Sequence, residues 1–486
     1  MVDLKKLGEK LSQWSDNSTI HAISHISHSD SKLIRLIWLT FFLSAFGYFS
    51  YLIVQSTITY LKYGITTQVS YERVVSLEFP TVTFCNQKMF RYYDSVDTVA
   101  INSLLVLKNA ILSAINSNTT SLKLINDFFF NIAYAFSTLE LSQQRKSMFS
   151  YSIDEMLINC RFNGIMCTKN DFEYAYIPTF GNCYKFNSGK NLSGESAVKR
   201  RLSQPGRSKG LVLELFVGYD DPFWDTYRTT GAMIFVHNSS TKHLSKENGF
   251  GLAAGFAYDI AIGQVFTNKL PKPYGTCIKD VFSENSFDSF LYKQTVVALA
   301  KYEQKICLLL CLQQYITGIC GCFDPTGPQS VSFPPCNQSK CIEQAYVDFV
   351  NSNSLDCFDQ CPVECDSTSY DLRITQSSFP GFFYSQILMQ FDKMFPWLNR
   401  NFSSLENLKK STLALNIYYN DIGYTVINEI PSKTFEQFVG EIGGLMGLCL
   451  GASFLSFVEL IELLVQLLFL IFKSNNKKVL AEKPSN

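Results

Sequence analysis

Two apolar runs, one near each end of the chain, constrain the fold more than any other feature. Residues 33–58 and 438–472 are each long enough to cross a bilayer, which takes roughly 20 residues, and no comparable run lies between them. The first run is too long for a cleaved signal peptide, and no small-residue cleavage site follows it. The sequence therefore predicts a membrane protein with two transmembrane helices.

The charges that flank the two runs predict their orientation. Lysine and arginine precede or open the first run, and lysines follow the second. Because positive residues accumulate on the cytoplasmic side, residues 1–32 and the tail 473–486 are expected inside the cell, and residues 59–437 outside it. This topology places the chain in the plasma membrane, in contact with lipid. The formal net charge of +0 gives no indication of a nucleic-acid partner.

Cysteine usage supports an extracellular middle region. Of 15 cysteines, 14 lie between Cys85 and Cys365, and the last, Cys449, lies in the second apolar run. An even set of this kind indicates disulfides formed in an oxidising compartment. Zinc binding is the alternative, but no histidine accompanies the cysteines of residues 277–365. The same extracellular region carries five glycosylation sequons, at Asn118, Asn191, Asn238, Asn337 and Asn401.

Hydrophobic periodicity predicts that the extracellular region mixes strands and helices. Alternation and β-branched content predict strands at 210–217, 231–237 and 413–430, whereas apolar residues at helical spacing predict one helix at 295–315 and others within 101–141. In the cytoplasmic segment, His21, His25 and His28 share one helical face. No carboxylate or cysteine ligand accompanies them, so neither a metal site nor a cofactor is predicted.

The second apolar run is too long for a simple span. As one helix its roughly 35 residues would extend about 52 Å, against a hydrocarbon core of about 30 Å, so it must tilt, protrude or break. Gly443, Gly447 and Gly451 form a small-residue face on which helices pack closely. Because one chain with two spans cannot enclose a pore, a pore would require several copies around an axis.

The residue types in this run are those of an ion path. Small residues at 451–453 would expose backbone carbonyls, and rings of carbonyls or carboxylates select ions. Glu459 and Glu462 lie one turn apart in an otherwise apolar segment, where a carboxylate is costly unless it faces water. We therefore expect both to line the inner vestibule, with Glu441 at the outer mouth. In the alternative interpretation, the glycines only pack helices and the glutamates snorkel to the interface.

Together these motifs resemble the degenerin, epithelial sodium channel and acid-sensing ion channel family over nearly the whole chain. "FPTVTFCN" (79–86) is similar to the motif after that family's first span, and "EIGGLMGLCLGASFLSFVELIE" (441–462) to its second span. The resemblance implies a trimer, homomeric or heteromeric, that conducts cations, prefers sodium and is often amiloride-sensitive; calcium permeability stays open. It implies that the selectivity filter is formed by Gly451, Ala452 and Ser453.

The resemblance also implies the layout of the extracellular domain, which would be a hand of palm, knuckle, β-ball, finger and thumb. The thumb would lie in 277–365 and the finger at about 90–160, and the wrist would use Tyr60 and Tyr274. The implied disulfides are Cys85–Cys183, Cys160–Cys167, Cys277–Cys365, Cys307–Cys361, Cys311–Cys357, Cys320–Cys341 and Cys322–Cys336.

Two departures from the family bear on gating. The family has His-Gly in a re-entrant loop before the first span, where this chain has His21 and Ala22. Acid-sensing members have paired histidines just after that span, where this chain reads "YLKYGITT" (60–67). The extracellular histidines are His237 and His243, and histidine is the group that titrates between pH 5 and 8.

These departures favour a channel opened by an extracellular ligand such as a short amidated neuropeptide, as in family members of simpler animals. A proton-gated channel, with carboxylate pairs as sensors, and a constitutively open sodium channel are the alternatives. A different class is a two-span, disulfide-rich scavenger or adhesion receptor without a pore. No protease, esterase or phosphate-loop motif appears in the sequence, so no enzyme is predicted.

Overall fold

A computed structural model describes two compact units of the chain. The terminal unit comprises residues 1–66 and 429–486, and the central unit comprises residues 67–428. The described residues are 14–15, 18, 20–88, 150–177, 180–218, 229–241, 244, 248–325, 327, 333–337, 339–394, 402 and 404–481. The helices predicted within 101–141, most of the finger, His243, Asn118 and Asn401 lie outside the described residues.

The helices and strands are numbered here in chain order. The helices are α1 His21–His28, α2 Lys32–Leu61, α3 Ile153–Met156, α4 Phe290–Leu299, α5 Gln304–Cys320, α6 Ser339–Asp348, α7 Ser354–Gln360, α8 Phe382–Met394, α9 Leu405–Ser411, α10 Phe435–Leu450 and α11 Phe454–Ala481. The strands are β1 Ile65–Arg73, β2 Leu77–Glu78, β3 Thr81–Asn86, β4 Leu157–Phe162, β5 Ile165–Met166, β6 Phe172–Ile177, β7 Gly181–Phe186, β8 Arg201–Leu202, β9 Leu211–Phe216, β10 Gly231–His237, β11 Phe250–Ala253, β12 Phe256–Asn268, β13 Asp366–Ser378 and β14 Thr412–Pro431.

The terminal unit holds the helices that are apolar enough for a membrane. Helix α2 meets the length and hydropathy of a span by itself, and it covers the predicted first span with one residue before it and three after it. Helix α10 and the segment Leu455–Phe469 meet them only as a bent pair, with 79° between the two axes. By length and composition, the described residues therefore contain one candidate span, or two if the bent pair is counted as one.

The described residues of the central unit form three β-sheets. A seven-stranded sheet has the order β13-β12-β14-β9-β4-β5, with β1 also pairing β14, and a five-stranded sheet has the order β11-β10-β3-β7-β6. A small third sheet pairs β2 with β8. Strand β12 runs antiparallel to β13 along its whole length and parallel to β14. The strands predicted at 210–217, 231–237 and 413–430 are confirmed as β9, β10 and β14.

The largest core of the central unit is rich in phenylalanine. Strand β12 alternates as a half-buried strand should, with Tyr258, Ile260 and Ile262 pointing inward. Phe79, almost fully buried, packs edge-to-face against Phe162 with ring centroids 5.1 Å apart. Edge-to-face pairs add to the gain from burial itself. Residues of both large sheets contribute to this one core.

The helical disulfide block at 277–365 corrects one prediction. The single helix expected at 295–315 is wrong, because α4 ends where Ala300 adopts a left-handed conformation (φ 57°) and α5 begins at Gln304. The turn brings the centre of the Tyr302 ring to 4.4 Å from the centre of the Tyr292 ring. The Tyr302 hydroxyl donates to the Pro362 carbonyl at 2.7 Å. The apolar pattern favours one continuous helix, but the burial of both tyrosines stabilises the turn more, so the helix is interrupted.

Seven disulfides cross-link the central unit. They join Cys85–Cys183, Cys160–Cys167, Cys277–Cys365, Cys307–Cys361, Cys311–Cys357, Cys320–Cys341 and Cys322–Cys336. These are the same seven pairs that the family resemblance implies. Cys449 is not disulfide-bonded and is partly buried on α10. Five of the bonds lie within residues 277–365, so this block is cross-linked far more densely than the sheets.

Candidate pore segment

The second apolar run breaks at the three residues expected to form the filter. Helix α10 ends at Leu450, and Gly451 takes a left-handed conformation with φ 62°. The N–H of Gly451 donates to the Gly447 carbonyl at 3.0 Å, and that of Ala452 donates to the Met446 carbonyl at 3.4 Å. Glycine adopts positive φ without the Cβ penalty of other residues, so it is well suited to end the helix here.

Ser453 starts the next helix. Its N–H donates to the Ser456 hydroxyl at 3.0 Å, while the Ser456 N–H donates back to the Ser453 hydroxyl at 3.4 Å. This reciprocal arrangement is a capping box in which serine takes the usual place of Glu or Gln. Of the three possibilities for the long run, breaking is the one observed.

The break changes what the backbone offers to an ion. The last carbonyls of a helix have no following turn to supply N–H donors, and here they include those of Leu448, Cys449 and Leu450. The aligned peptide dipoles also place partial negative charge at this helix end. Carbonyl oxygens at the C-terminus of α10 are therefore suited to bind a cation that has shed water.

The two glutamates lie beyond the break on α11. Glu462 is exposed and accepts a hydrogen bond from Gln466 Nε2 at 3.0 Å, whereas Glu459 is partly buried. Their spacing places both within one turn of each other, on the C-terminal side of Ser453. That the two carboxylates face an ion path stays a prediction.

Glu441 does not stand alone at the start of the pore segment. Its carboxylate forms an ion pair with the ammonium of Lys433, which precedes α10. The same ammonium donates to the Ser56 hydroxyl of α2 at 2.6 Å and lies 5.5 Å from the centre of the Phe438 ring. Glu441 therefore adds less negative charge to the segment than an unpaired carboxylate would. Sequence analysis missed Lys433, because no short-range pattern relates it to Ser56.

Of the two predicted wrist tyrosines, one belongs to each unit. Tyr60 lies near the end of α2, and its ring stacks on that of Phe438 with centroids 4.7 Å apart and planes 10° apart. This stack joins α2 to α10 within the terminal unit. Tyr274 belongs to the central unit, where its N–H donates to the Pro271 carbonyl at 3.1 Å. The pairing of these two tyrosines remains a prediction.

His21 and Ala22 form the first turn of helix α1, so the expected re-entrant segment is helical at these two residues. Alanine is well suited to this position, because a helix does not need positive φ. Helix α1 packs against α2, where the ring of His25 stacks on Trp38 with centroids 4.6 Å and planes 7° apart.

His237, on β10, is arranged to stay neutral. Its Nδ1 lies 2.9 Å from the Asn238 carbonyl, which only accepts, so Nδ1 carries the proton. Its Nε2 then accepts from the Thr83 hydroxyl at 2.9 Å. Burial first, and the nearby Lys185 ammonium in addition, lower the pKa of His237 to about 4. The ring is therefore uncharged across the range in which histidine normally titrates.

Three of the sequons lie on described residues. Asn337 is exposed, and Asn191 and Asn238 are partly buried. The amide nitrogen of Asn191, to which a glycan would be attached, donates to Glu195 Oε2 at 2.8 Å. A glycan at Asn191 would have to displace this hydrogen bond, whereas Asn337 offers the most open site of the three.

Comparison with known proteins identifies the family. The model of the amiloride-sensitive sodium channel family matches residues 14–463. The chain belongs to this family. The resemblance to degenerins, epithelial sodium channels and acid-sensing channels is thereby confirmed. The members of the family are ion channels of the plasma membrane and not enzymes.

Among its relatives, the bile acid-sensitive ion channel of Rattus norvegicus is 25% identical over 454 residues, covering 90% of this chain and 84% of the relative. Acid-sensing ion channel 2 of Homo sapiens is 27% identical over 463 residues, covering 91% and 83%. The alpha subunit of the human epithelial sodium channel is 30% identical over 336 residues, covering 66% and 46%. A cryo-EM structure of a proton-activated chloride channel aligns with a TM-score of 0.31 and 6% identity over 89% of this chain and 98% of the other, too weak to carry an argument.

Proposed function

We propose that this chain is a pore-forming subunit of a sodium-preferring cation channel, with two spans, both termini cytoplasmic and three subunits around the pore. The observation that carries the proposal is the capped helix break at Gly451, Ala452 and Ser453 inside an apolar run. A helix that only anchors a protein in lipid gains nothing from such a break, because it uncovers backbone carbonyls. Around a water-filled axis the same carbonyls become ion ligands.

The acidic residues of α11 fit this proposal. In a trimer, Glu459 and Glu462 would form two carboxylate layers about one turn apart on the inner side of the filter. Water in the vestibule would solvate them, which removes the cost of a carboxylate in lipid. Such layers raise the local concentration of cations and so favour their entry.

For gating, we propose an extracellular ligand such as a short amidated peptide. The support is the neutral His237, because a ring held uncharged down to acid pH is a poor sensor of mild acidification. A carboxylate sensor is the alternative, favoured by Glu303, whose pKa is raised first by burial and also by the nearby Glu364. The relatives named for bile acid and for acid sensing indicate that the activating stimulus differs within the family.

The test is voltage clamp of cells that express the full chain, with acid and amidated peptides applied outside. We expect Glu459→Gln and Glu462→Gln to reach the surface as trimers and to conduct less sodium or show altered divalent block. Ser453→Trp should obstruct the path. Glu436→Gln, which neutralises a carboxylate in the first turn of α10, is the matched control and should leave conductance unchanged.

Two results would count against the proposal. Unchanged current, selectivity and divalent block in both Glu459→Gln and Glu462→Gln would remove the carboxylates from the ion path. A detergent-extracted particle with the mass of a monomer would remove the pore itself and favour the receptor interpretation.

A further inference from the structure

The ammonium of Lys433 is surrounded by a carboxylate, a hydroxyl and an aromatic ring, all of which attract a cation. Only 13% of the Lys433 side chain is exposed. Its Nζ pairs with the Glu441 carboxylate, lies 2.6 Å from the Ser56 hydroxyl and 5.5 Å from the centre of the Phe438 ring. The Ser56 carbonyl lies 3.5 Å from the same nitrogen. Ser56 is itself buried at 4% exposure. We call these three partners, Ser56, Phe438 and Glu441, the ammonium site.

The chemistry of the ammonium site is that of a receptor for a primary amine. A primary ammonium has three N–H donors and no acceptor. Glu441 and Ser56 supply acceptor oxygens, and the negative face of an aromatic ring attracts a cation. The Phe438 ring is held in place by its stack on Tyr60. The site is thus built from two helices, with Ser56 on α2 and the other two partners on α10.

We propose that Ser56, Phe438 and Glu441 form a binding site for a primary ammonium group, and that Lys433 is its built-in occupant. The occupied site fastens α2 to α10, because its cation bridges a hydroxyl of one helix and a carboxylate of the other. When the lysine side chain is removed, the site accepts a free alkylammonium of matching length. The inference rests on the geometry of the terminal unit and not on whether the chain conducts ions.

The competing explanation is an ordinary ion pair. An exposed pair contributes about 0–1 kcal/mol and needs no particular cation. In that case a small amine in solution would act no differently from sodium. The two explanations therefore differ in whether binding requires N–H donors and an alkyl chain, and in whether it requires Glu441.

The experiment is chemical rescue of the full-length protein in detergent. Lys433→Ala removes Cγ, Cδ, Cε and Nζ, which are the atoms of n-propylammonium. We expect Lys433→Ala to lower the apparent melting temperature by several degrees. We expect millimolar n-propylammonium chloride to restore at least half of that loss with saturation. Sodium chloride at equal ionic strength and tetramethylammonium, which has no N–H, should restore none of it.

Two variants locate the effect. Lys433→Ala combined with Glu441→Gln should show no response to n-propylammonium, and the unaltered chain, whose site is filled, should show none either. If Lys433→Ala gives no uniform particle, extraction in n-propylammonium is the same test, and recovery of a uniform particle is then the expected result. Equal effects of n-propylammonium and sodium, a rescue that persists in the double variant, or no recovery in amine would each overturn the proposal.

Discussion

Replacing His237 should change how the protein responds to acid. In the folded chain the pKa of His237 lies at about 4, against 6.5 for an ordinary histidine. As pH falls below 6.5, His237 becomes protonated in the unfolded chain but stays neutral in the folded chain. The free energy of unfolding therefore decreases between about pH 6.5 and pH 4 and is level below that range. The whole decrease is at most about 3 kcal/mol.

His237→Gln abolishes this contribution, because glutamine does not titrate. Its amide can still hydrogen-bond to the Thr83 hydroxyl and the Asn238 carbonyl. We expect the variant to lose less thermal stability than the unaltered chain between pH 7.5 and pH 4.5. The assay is the apparent melting temperature of the full chain in detergent, measured across this range. His25→Gln, on helix α1 of the terminal unit, serves as the control and should keep the pH dependence of the unaltered chain.

A parallel loss of stability by His237→Gln and the unaltered chain on acidification would contradict a lowered pKa of His237. Loss of an acid-activated current with a midpoint between pH 5 and 7 in His237→Gln would contradict it as well, since a ring that stays neutral in this range cannot sense the proton.

Two further predictions concern the stability of the central unit. Tyr384→Phe removes a 2.7 Å hydrogen bond to Glu214, a carboxylate whose pKa is raised first by burial. The free energy of unfolding should fall by about 1.5–3 kcal/mol at pH 7, which is measured as a lower melting temperature; an unchanged melting temperature would contradict the prediction. Serine in place of both Cys277 and Cys365, 88 residues apart, should lower the free energy of unfolding by about 4.6 kcal/mol. The same change at Cys160 and Cys167, 7 residues apart, should lower it by about 2.4 kcal/mol. The reverse order of melting temperatures would contradict the dependence of disulfide stabilisation on loop length.

The sequence predicts features that depend on local patterning. Apolar, β-branched and aromatic content was enough to locate β9, β10 and β14, because such residues favour strands over short stretches of chain. The excess length of the second apolar run indicated a possible break, and its small residues indicated where. The cap between Ser453 and Ser456 was missed, since serine rarely serves as the third residue of a capping box.

Features that depend on distant residues were not predictable from pattern. The turn at Ala300 is stabilised by Tyr302, which packs on Tyr292 and donates a hydrogen bond to the Pro362 carbonyl. Pro362 lies too far along the chain for the sequence around residue 300 to predict this contact. Lys433 lies almost four hundred residues along the chain from Ser56, so hydrophobic periodicity within a short window cannot predict their hydrogen bond. The disulfide pairing likewise needed a resemblance, because 14 cysteines allow very many pairings.

The order in which the cysteines occur has a consequence for biosynthesis. Strand β12 pairs with β13 and β14, and the disulfide block is inserted between β12 and β13. The last cysteine of the central unit, Cys365, directly precedes β13. A growing chain can therefore close all seven disulfides before the two strands that complete the large sheet have been synthesised. Correct oxidation would then be a poor criterion of correct folding, and chains truncated after Cys365 could pass thiol-based quality control without a finished core.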